Sequence, residues 1–192
     1  SGMEVMMVCF LGMLTALVYL RARDEESTRL YVAAGVLCAL AAMTRPDAGL
    51  LFVAFGADRL LARWRHGRPG WLPLGLGLMS VYGPYFLWRY LYYGWLLPNT
   101  LYAKVGSTWA QVSRGLDYFT RFSGASLLIV AAAVVGLMAA PALKRRFGPS
   151  VVLGVYLLLH TLYVVAVGGD SQPSYRFFAE VMPLLCLWAA MT

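Results

Sequence analysis

The stretch SVVLGVYLLLHTLYVVAVGGDSQPSYRFFAEVMPLLCLWAAM, residues 150–191, sets the character of the whole chain. Two long apolar runs, 149–167 and 177–191, flank a glycine-rich polar segment, GGDSQPSYRF (168–177), that carries Asp170 and Arg176. A helix needs about 20 apolar residues to cross a bilayer, range roughly 17 to 25. The same alternation continues upstream, with apolar runs at 5–20, 30–43, 48–62, 71–88 and 125–143. Three further polar interruptions stand at their edges: SGME (1–4), TRPDAG (44–49) and YYGWLLPNTLYAK (92–104). The runs 30–43 and 48–62 are short for a span, so they either tilt and thin the bilayer or place part of TRPDAG below the membrane surface.

Composition agrees with a membrane protein. The 192 residues are 60% hydrophobic and 13% charged, with a mean hydropathy of +0.66, whereas soluble domains are roughly 45–50% apolar and 25% charged. The expected fold is all-α: a polytopic integral membrane helical bundle of about seven spans, forming one transmembrane domain over 1–192. Its basic residues divide between alternating loops, and cytoplasmic loops carry the Lys/Arg excess. Arg21, Arg23, Arg29, Arg59, Arg63, Arg65, Arg68, Lys144, Arg145 and Arg146 fall on one side, all but Arg59 in the compact clusters RARDEESTR, RWRHGR and KRRFG. Arg45, Arg89, Lys104, Arg114, Arg121 and Arg176 fall on the other, scattered among the polar motifs. All four motifs are therefore expected to face outward from the cytoplasmic membrane. Topology and anionic lipid account for the net charge of +7 without a nucleic-acid partner.

Cys9, Cys38 and Cys186 lie in apolar runs without ligand spacing and read as small core residues. No cleavable signal peptide is evident. The chain starts at Ser1 and stops inside an apolar run, and is expected to be a piece of a larger protein.

The segment 95–124 is the one substantial extramembrane loop. Trp109, Val112, Leu116, Phe119 and Phe122 recur there at three- and four-residue steps, with Gln111, Ser113, Arg114, Asp117 and Arg121 between them. An amphipathic helix follows, lying in the membrane interface or packed over the bundle. Upstream, Tyr82, Tyr85, Trp88, Tyr90, Tyr92, Tyr93 and Trp95 crowd one end of a span. They read as an aromatic belt or as a stacking wall for a sugar or isoprenoid. Gly83 and Pro84 predict a kink in that span.

Chemistry concentrates in the polar interruptions. In TRPDAG, Thr44 and Asp47 have capping-box spacing and Pro46 suits a first helical turn. Capping does not explain Arg45, a permanent cation between two apolar runs. Its guanidinium would bind phosphate bidentately beside a helix N-terminus, or form a structural salt bridge. In PNTLYAK, Asn99 can cap a short helix that places Lys104 about one turn from Tyr102 and Thr100; a capped interfacial turn with a snorkelling lysine would look the same. GGDSQPSYR offers glycines for close backbone approach, an acceptor in Asp170 and a cation in Arg176, more than a tight loop needs. Glu180 stands at i+4 from Arg176 and is placed to pair with it. Glu4 is a candidate helix-start carboxylate. His66 and His160 have no second histidine or cysteine at ligand spacing, so no metal is expected through them. Serine elbow, P-loop and dinucleotide fingerprint do not occur in the sequence, which disfavours soluble-nucleotide chemistry.

SGME before a span, LAAMTRPDAGLL, YYGWLLPNTLYAKVG and GGDSQPSYRFFAEVMPLL, in this order, resemble bacterial GT-C glycosyltransferases of the terminal arabinofuranosyltransferase type. Some relatives of that type carry a flagellar motor control label. The resemblance covers almost the whole chain. It implies a multi-span enzyme that moves a sugar, arabinofuranose by this resemblance, from a polyprenyl-phosphate donor to a cell-envelope glycan acceptor outside the cytoplasm. It also implies an aspartate base in a loop upstream of residue 1, so the fragment alone is expected to be inactive. Arg45, Lys104 and Arg176 would then stabilise the departing phosphate, with Asn99 and Tyr102 beside them. Asp47, Asp170 and Glu4 would hydrogen-bond sugar hydroxyls or help hold a divalent cation. Two other classes remain open: a transporter or flippase for an anionic or lipid-linked substrate, and a non-catalytic envelope or flagellar assembly protein.

Overall fold

The structure is a computed structural model and describes residues 2–66, 70–95, 109–125, 147–169 and 175–191. Among the described residues every regular element is helical, as expected. They are α1 (Gly2–Glu25), α2 (Thr28–Thr44), one turn of 3-10 helix (Pro46–Gly49), α3 (Leu50–His66), α4 (Trp71–Tyr93), α5 (Trp109–Ala125), α6 (Phe147–Val167), α7 (Arg176–Ala179) and α8 (Met182–Met191).

Two of these are long and apolar enough to cross a membrane: Met3–Glu25 of α1, with hydropathy 2.0, and Ser150–Val167 of α6, with 2.1. Thr28–Thr44 is a shorter apolar helix. The expectation of about seven spans is thus met in two described helices by length and composition. The run 125–143 falls almost wholly outside the described residues, and 177–191 is divided between the short α7 and the ten-residue α8.

Local chemistry sets the boundaries. The residue before a proline is driven out of helical geometry, and Arg45, preceding Pro46, is extended at φ −145° and ψ 127°, ending α2. Thr44 is the last residue of α2, and its hydroxyl donates back to Leu40 O at 2.9 Å. It therefore does not cap the following turn, contrary to the capping-box reading. Gly94, at φ 72°, closes α4 with its N–H on Tyr90 O at 2.8 Å, a left-handed cap that favours glycine. α4 continues through Pro84 to Tyr93.

Paired contacts show which helix ends lie together. Arg23 near the end of α1 reaches Asp58 late in α3, and Arg59 bonds Tyr31 early in α2. Gly70, just before α4, abuts Tyr31 and Arg59, and Gly148 at the start of α6 abuts Arg23. At the opposite end, Cys9 early in α1 reaches Ala179 of α7, and Arg45 meets Glu180. α4 runs in the same direction as α2, with Gly77 against Val32 and Gly35 against Leu74 and Leu78. A Cβ on Gly35 would fall 2.2 Å from Leu74 O, and one on Gly77 2.2 Å from Val32 O, so this close crossing requires both glycines. Glu4, TRPDAG, the aromatic end of α4, Gly168–Gly169 and Tyr175–Arg176 accordingly share one end of the bundle. Arg21, Arg23, Arg29 and Arg63 belong to the other.

The core between these ends is built from Ala16, Tyr19, Ala34, Cys38, Leu51, Phe55, Leu74, Leu153 and Leu184, among others. α5 is helical where the periodicity placed a helix, but its packed face is rotated from the predicted stripe. Gln111, Gly115, Tyr118 and Phe122 turn inward, while Trp109 is 79% exposed and Leu116 is exposed. The reason is the close approach to α6: a Cβ on Gly115 would lie 2.2 Å from Val165 O, and Gln111 Nε2 donates to Ala166 O at 3.1 Å. Of the cysteines, Cys38 is buried, Cys9 is half-buried and Cys186 is exposed, so the core reading fails for Cys186.

Candidate functional site

The polar end of the bundle is organised around Arg45. Extended backbone at this residue, imposed by Pro46, turns its side chain from the end of α2 toward the 3-10 turn and α7. Nη2 donates to Asp47 Oδ2 at 2.9 Å and Nε to Oδ1 at 3.2 Å, a two-point clasp of carboxylate by guanidinium. Nε also stands 3.3 Å from Glu180 Oε2, and the guanidinium lies over the Phe177 ring at 4.9 Å. Desolvation works against this charge, yet Asp47 and Glu180 outweigh it and raise the Arg45 pKa above its ordinary value.

His160 joins the group from α6. Its Nε2 donates to Phe177 O at 2.9 Å, a carbonyl that can only accept, and lies 3.6 Å from Glu180 Oε1. Tyr156, Tyr163 and Phe178 surround the ring. Arg45 is 9% exposed, Asp47 4%, Glu180 4% and His160 1%. Burying this many ionisable groups is costly unless each is paired. Here one guanidinium serves two carboxylates, and neither oxygen of Glu180 accepts a hydrogen bond.

The structure thus brings together three of the residues singled out from sequence. Arg45 and Asp47 form the centre, and Glu4, exposed in the first turn of α1, acts electrostatically on both Arg45 and Glu180. Arg176 is half-buried at the start of α7, following Tyr175 in left-handed geometry at φ 45°. Asn99, Tyr102, Lys104 and Asp170 lie outside the described residues. Glu180 pairs with Arg45 and His160 rather than serving as the simple i+4 partner of Arg176. The glycine pair at 168–169 allows close approach to the chain's own α5: a Cβ on Gly168 (φ 87°) would lie 2.8 Å from Gln111 Cγ, and one on Gly169 (φ 71°) 2.7 Å from Tyr118 Cγ. Sequence reasoning missed Glu180 and His160 as members of the site. The available signal was an ionisable residue inside each of two apolar runs, which is expensive and therefore informative.

Two neighbouring features complete this end. Along α4, Tyr82, Tyr85, Trp88 and Tyr92 form a column of rings with successive centroids 5.8, 6.4 and 5.8 Å apart, and Trp88, Tyr92, Tyr93 and Trp95 are exposed. Beneath α5, Phe122 stacks on Phe178 at 4.2 Å and Tyr118 packs against Tyr175 at 5.4 Å.

A second buried network closes the opposite end. Arg59, 2% exposed, binds Asp58 at 2.8 Å, Tyr31 Oη at 2.6 Å and Glu26 at 3.5 Å, and the Tyr19 hydroxyl donates to Asp58. Arg59 is therefore a structural residue of α3, not the loop charge that the sequence suggested. Comparison with known proteins finds no matching family model, curated protein or solved structure.

Proposed function

We propose that the chain is part of a membrane glycosyltransferase that moves a sugar from a polyprenyl-phosphate donor to a cell-envelope glycan on the extracytoplasmic side. The sugar is arabinofuranose by the resemblance of its motifs. The observation that carries this reading is the gathering of Glu4, Arg45, Asp47, Glu180 and the start of α7 at one end of an apolar helical bundle, beside an exposed column of aromatic rings. A polyprenyl chain suits the apolar flank, and its sugar phosphate would reach the polar end.

Displacing a phosphate from an anomeric carbon leaves negative charge on oxygen, which cations aimed at it stabilise. Arg45 is already held by two carboxylates, so in this reading it braces the site, and Lys104 and Arg176 meet the phosphate. Asp170 and Glu4 hydrogen-bond sugar hydroxyls, Asn99 and Tyr102 are substrate contacts by the resemblance alone, and Asp47 positions Arg45. The test is transfer of radiolabelled arabinose from decaprenyl-phosphoryl arabinose to an arabinan acceptor by the full-length protein in liposomes. Transfer that Arg176→Ala abolishes while the fold persists supports the assignment. No transfer from this or other polyprenyl-phosphate sugars would refute it.

One observation favours a second reading. Asp47, His160 and Glu180 are ionisable groups buried among helices, the pattern of an ion-coupled transporter. Uptake of a labelled substrate driven by an ion gradient, in liposomes that show no sugar transfer, would select it.

A further inference from the structure

We infer that Asp47, His160 and Glu180 form a binding site for a divalent transition-metal cation of the Zn2+ or Mn2+ kind. Each offers a ligand atom, and these atoms lie within 4.8 Å of one another. Zn2+ bonds to nitrogen and oxygen are about 2.0–2.2 Å long, so ligand atoms on one ion lie at most about 4.4 Å apart and a shift of a few tenths of an ångström brings these three onto a single ion. One imidazole and two carboxylates are a borderline donor set, which suits Zn2+ or Mn2+ better than the all-oxygen shells of calcium and magnesium.

Independent observations point the same way. Glu180 has a side chain 2% exposed and an ion pair with Arg45 at 3.3 Å, yet neither of its oxygens accepts a hydrogen bond, and Nδ1 of His160 has no hydrogen-bond partner. Buried polar atoms without partners ordinarily have an explanation in an unseen water or ion. Charge supplies the next step. Glu4, Asp47 and Glu180 set three carboxyl groups against the single positive charge of Arg45, with Glu4 acting on both Arg45 and Glu180. A divalent cation would supply the positive charge that one guanidinium cannot give to all three carboxyl groups when they ionise. Arg45, which clasps Asp47 at 2.9 and 3.2 Å, then serves as the outer-shell partner that orients a ligating carboxylate. The three ligands come from the 3-10 turn, α6 and the α7–α8 junction, so the ion would tie together the three segments that shape the polar end.

The site does not depend on the transferase reading, and the test keeps them apart. The full chain, untagged and carrying His66→Asn so that His160 is its sole imidazole, is purified in detergent, stripped with chelator and titrated with Co2+. The expected result is one Co2+ per chain, with visible d–d bands that Zn2+ abolishes. Glu180→Gln and His160→Gln should each weaken Co2+ binding by about 10–100-fold or more, as disturbance even of outer-shell partners does. Should either variant fail to fold, pulsed electron paramagnetic resonance on the Mn2+-loaded parent decides, because one imidazole ligand gives a nitrogen coupling. No stoichiometric Co2+, affinity unchanged in Glu180→Gln, or Mn2+ without nitrogen coupling overturns the site. Metal binding without sugar transfer would leave the site standing and remove the transferase.

Discussion

Replacing Arg45 with alanine removes the guanidinium that Asp47 and Glu180 share. Both carboxylate side chains are almost fully enclosed, 3% and 2% exposed, so water cannot take the place of the lost guanidinium. Breaking a buried ion pair by deleting one partner costs about 3–5 kcal/mol, because the other charge stays buried and uncompensated. The truncation also strips the contact with the Phe177 ring. Taken together, Arg45→Ala should lower the thermal midpoint of the detergent-solubilised protein by roughly 6–20 °C, at about 2–4 °C per kcal/mol for a chain of this size. The measurement is intrinsic fluorescence or circular dichroism on heating, beside Arg45→Lys, which keeps the charge but loses the two-point geometry, and the double variant Arg45→Ala/Glu180→Gln, which removes one stranded carboxylate. The order of stability should be parent, Arg45→Lys, the double variant, then Arg45→Ala. A midpoint for Arg45→Ala within about 1 °C of the parent, the small effect of an ordinary surface change, would refute the reasoning and return Arg45 to the role of an open phosphate ligand.

Other consequences follow from the same geometry. Gly35→Ala drives a Cβ into Leu74 O, a backbone atom that cannot rotate away, and should cost about 1–3 kcal/mol in denaturant unfolding. Tyr19→Phe loses the hydroxyl that bonds Asp58 and Phe55 O, leaves Asp58 with one donor fewer, and should cost about 1–3 kcal/mol by the same assay. Trp109→Ala removes an exposed ring and should change stability by less than about 0.5 kcal/mol. If α5 lies in the membrane interface, Trp109 fluorescence in a background lacking the other tryptophans is quenched by brominated lipids, and an unquenched signal assigns α5 to packing over the bundle alone.

Helical class, and the sharing of one bundle end by Glu4, TRPDAG and the start of α7 among the described residues, were legible because both follow from periodicity. Apolar runs alternate with polar breaks, and odd and even breaks must fall on opposite ends of an up-and-down bundle. Arg45 and Asp47 were legible as charges that apolar neighbours make expensive. Partners were not. Glu180 reads along the sequence as an i+4 mate for Arg176, and only the break between α7 and α8 turns it toward Arg45. His160, solitary in an apolar run, meets its carboxylates through contacts of 113 and 20 residues' separation in chain position, from Asp47 and Glu180, which no local spacing encodes. The rotation of α5 has a similar origin: Gly115 permits backbone contact with Val165, so the smallest residue, not the most hydrophobic, chooses the packed face. Arg59 was misplaced because loop charges and buried helix charges look alike until Tyr31, Asp58 and Glu26 are brought around it.

The account depends most on the claim that the polar breaks share one membrane face and the basic clusters the other. Single cysteines at Glu4, Trp95 and Ser171, and others at Arg21 and Arg63, would be introduced into a protein whose native Cys9, Cys38 and Cys186 are replaced by serine, then treated with a membrane-impermeant maleimide in intact cells. Labelling of the first three from outside, with Arg21 and Arg63 reached only after the membrane is opened, is the predicted result. Labelling of Glu4 and Arg21 from the same side would contradict it.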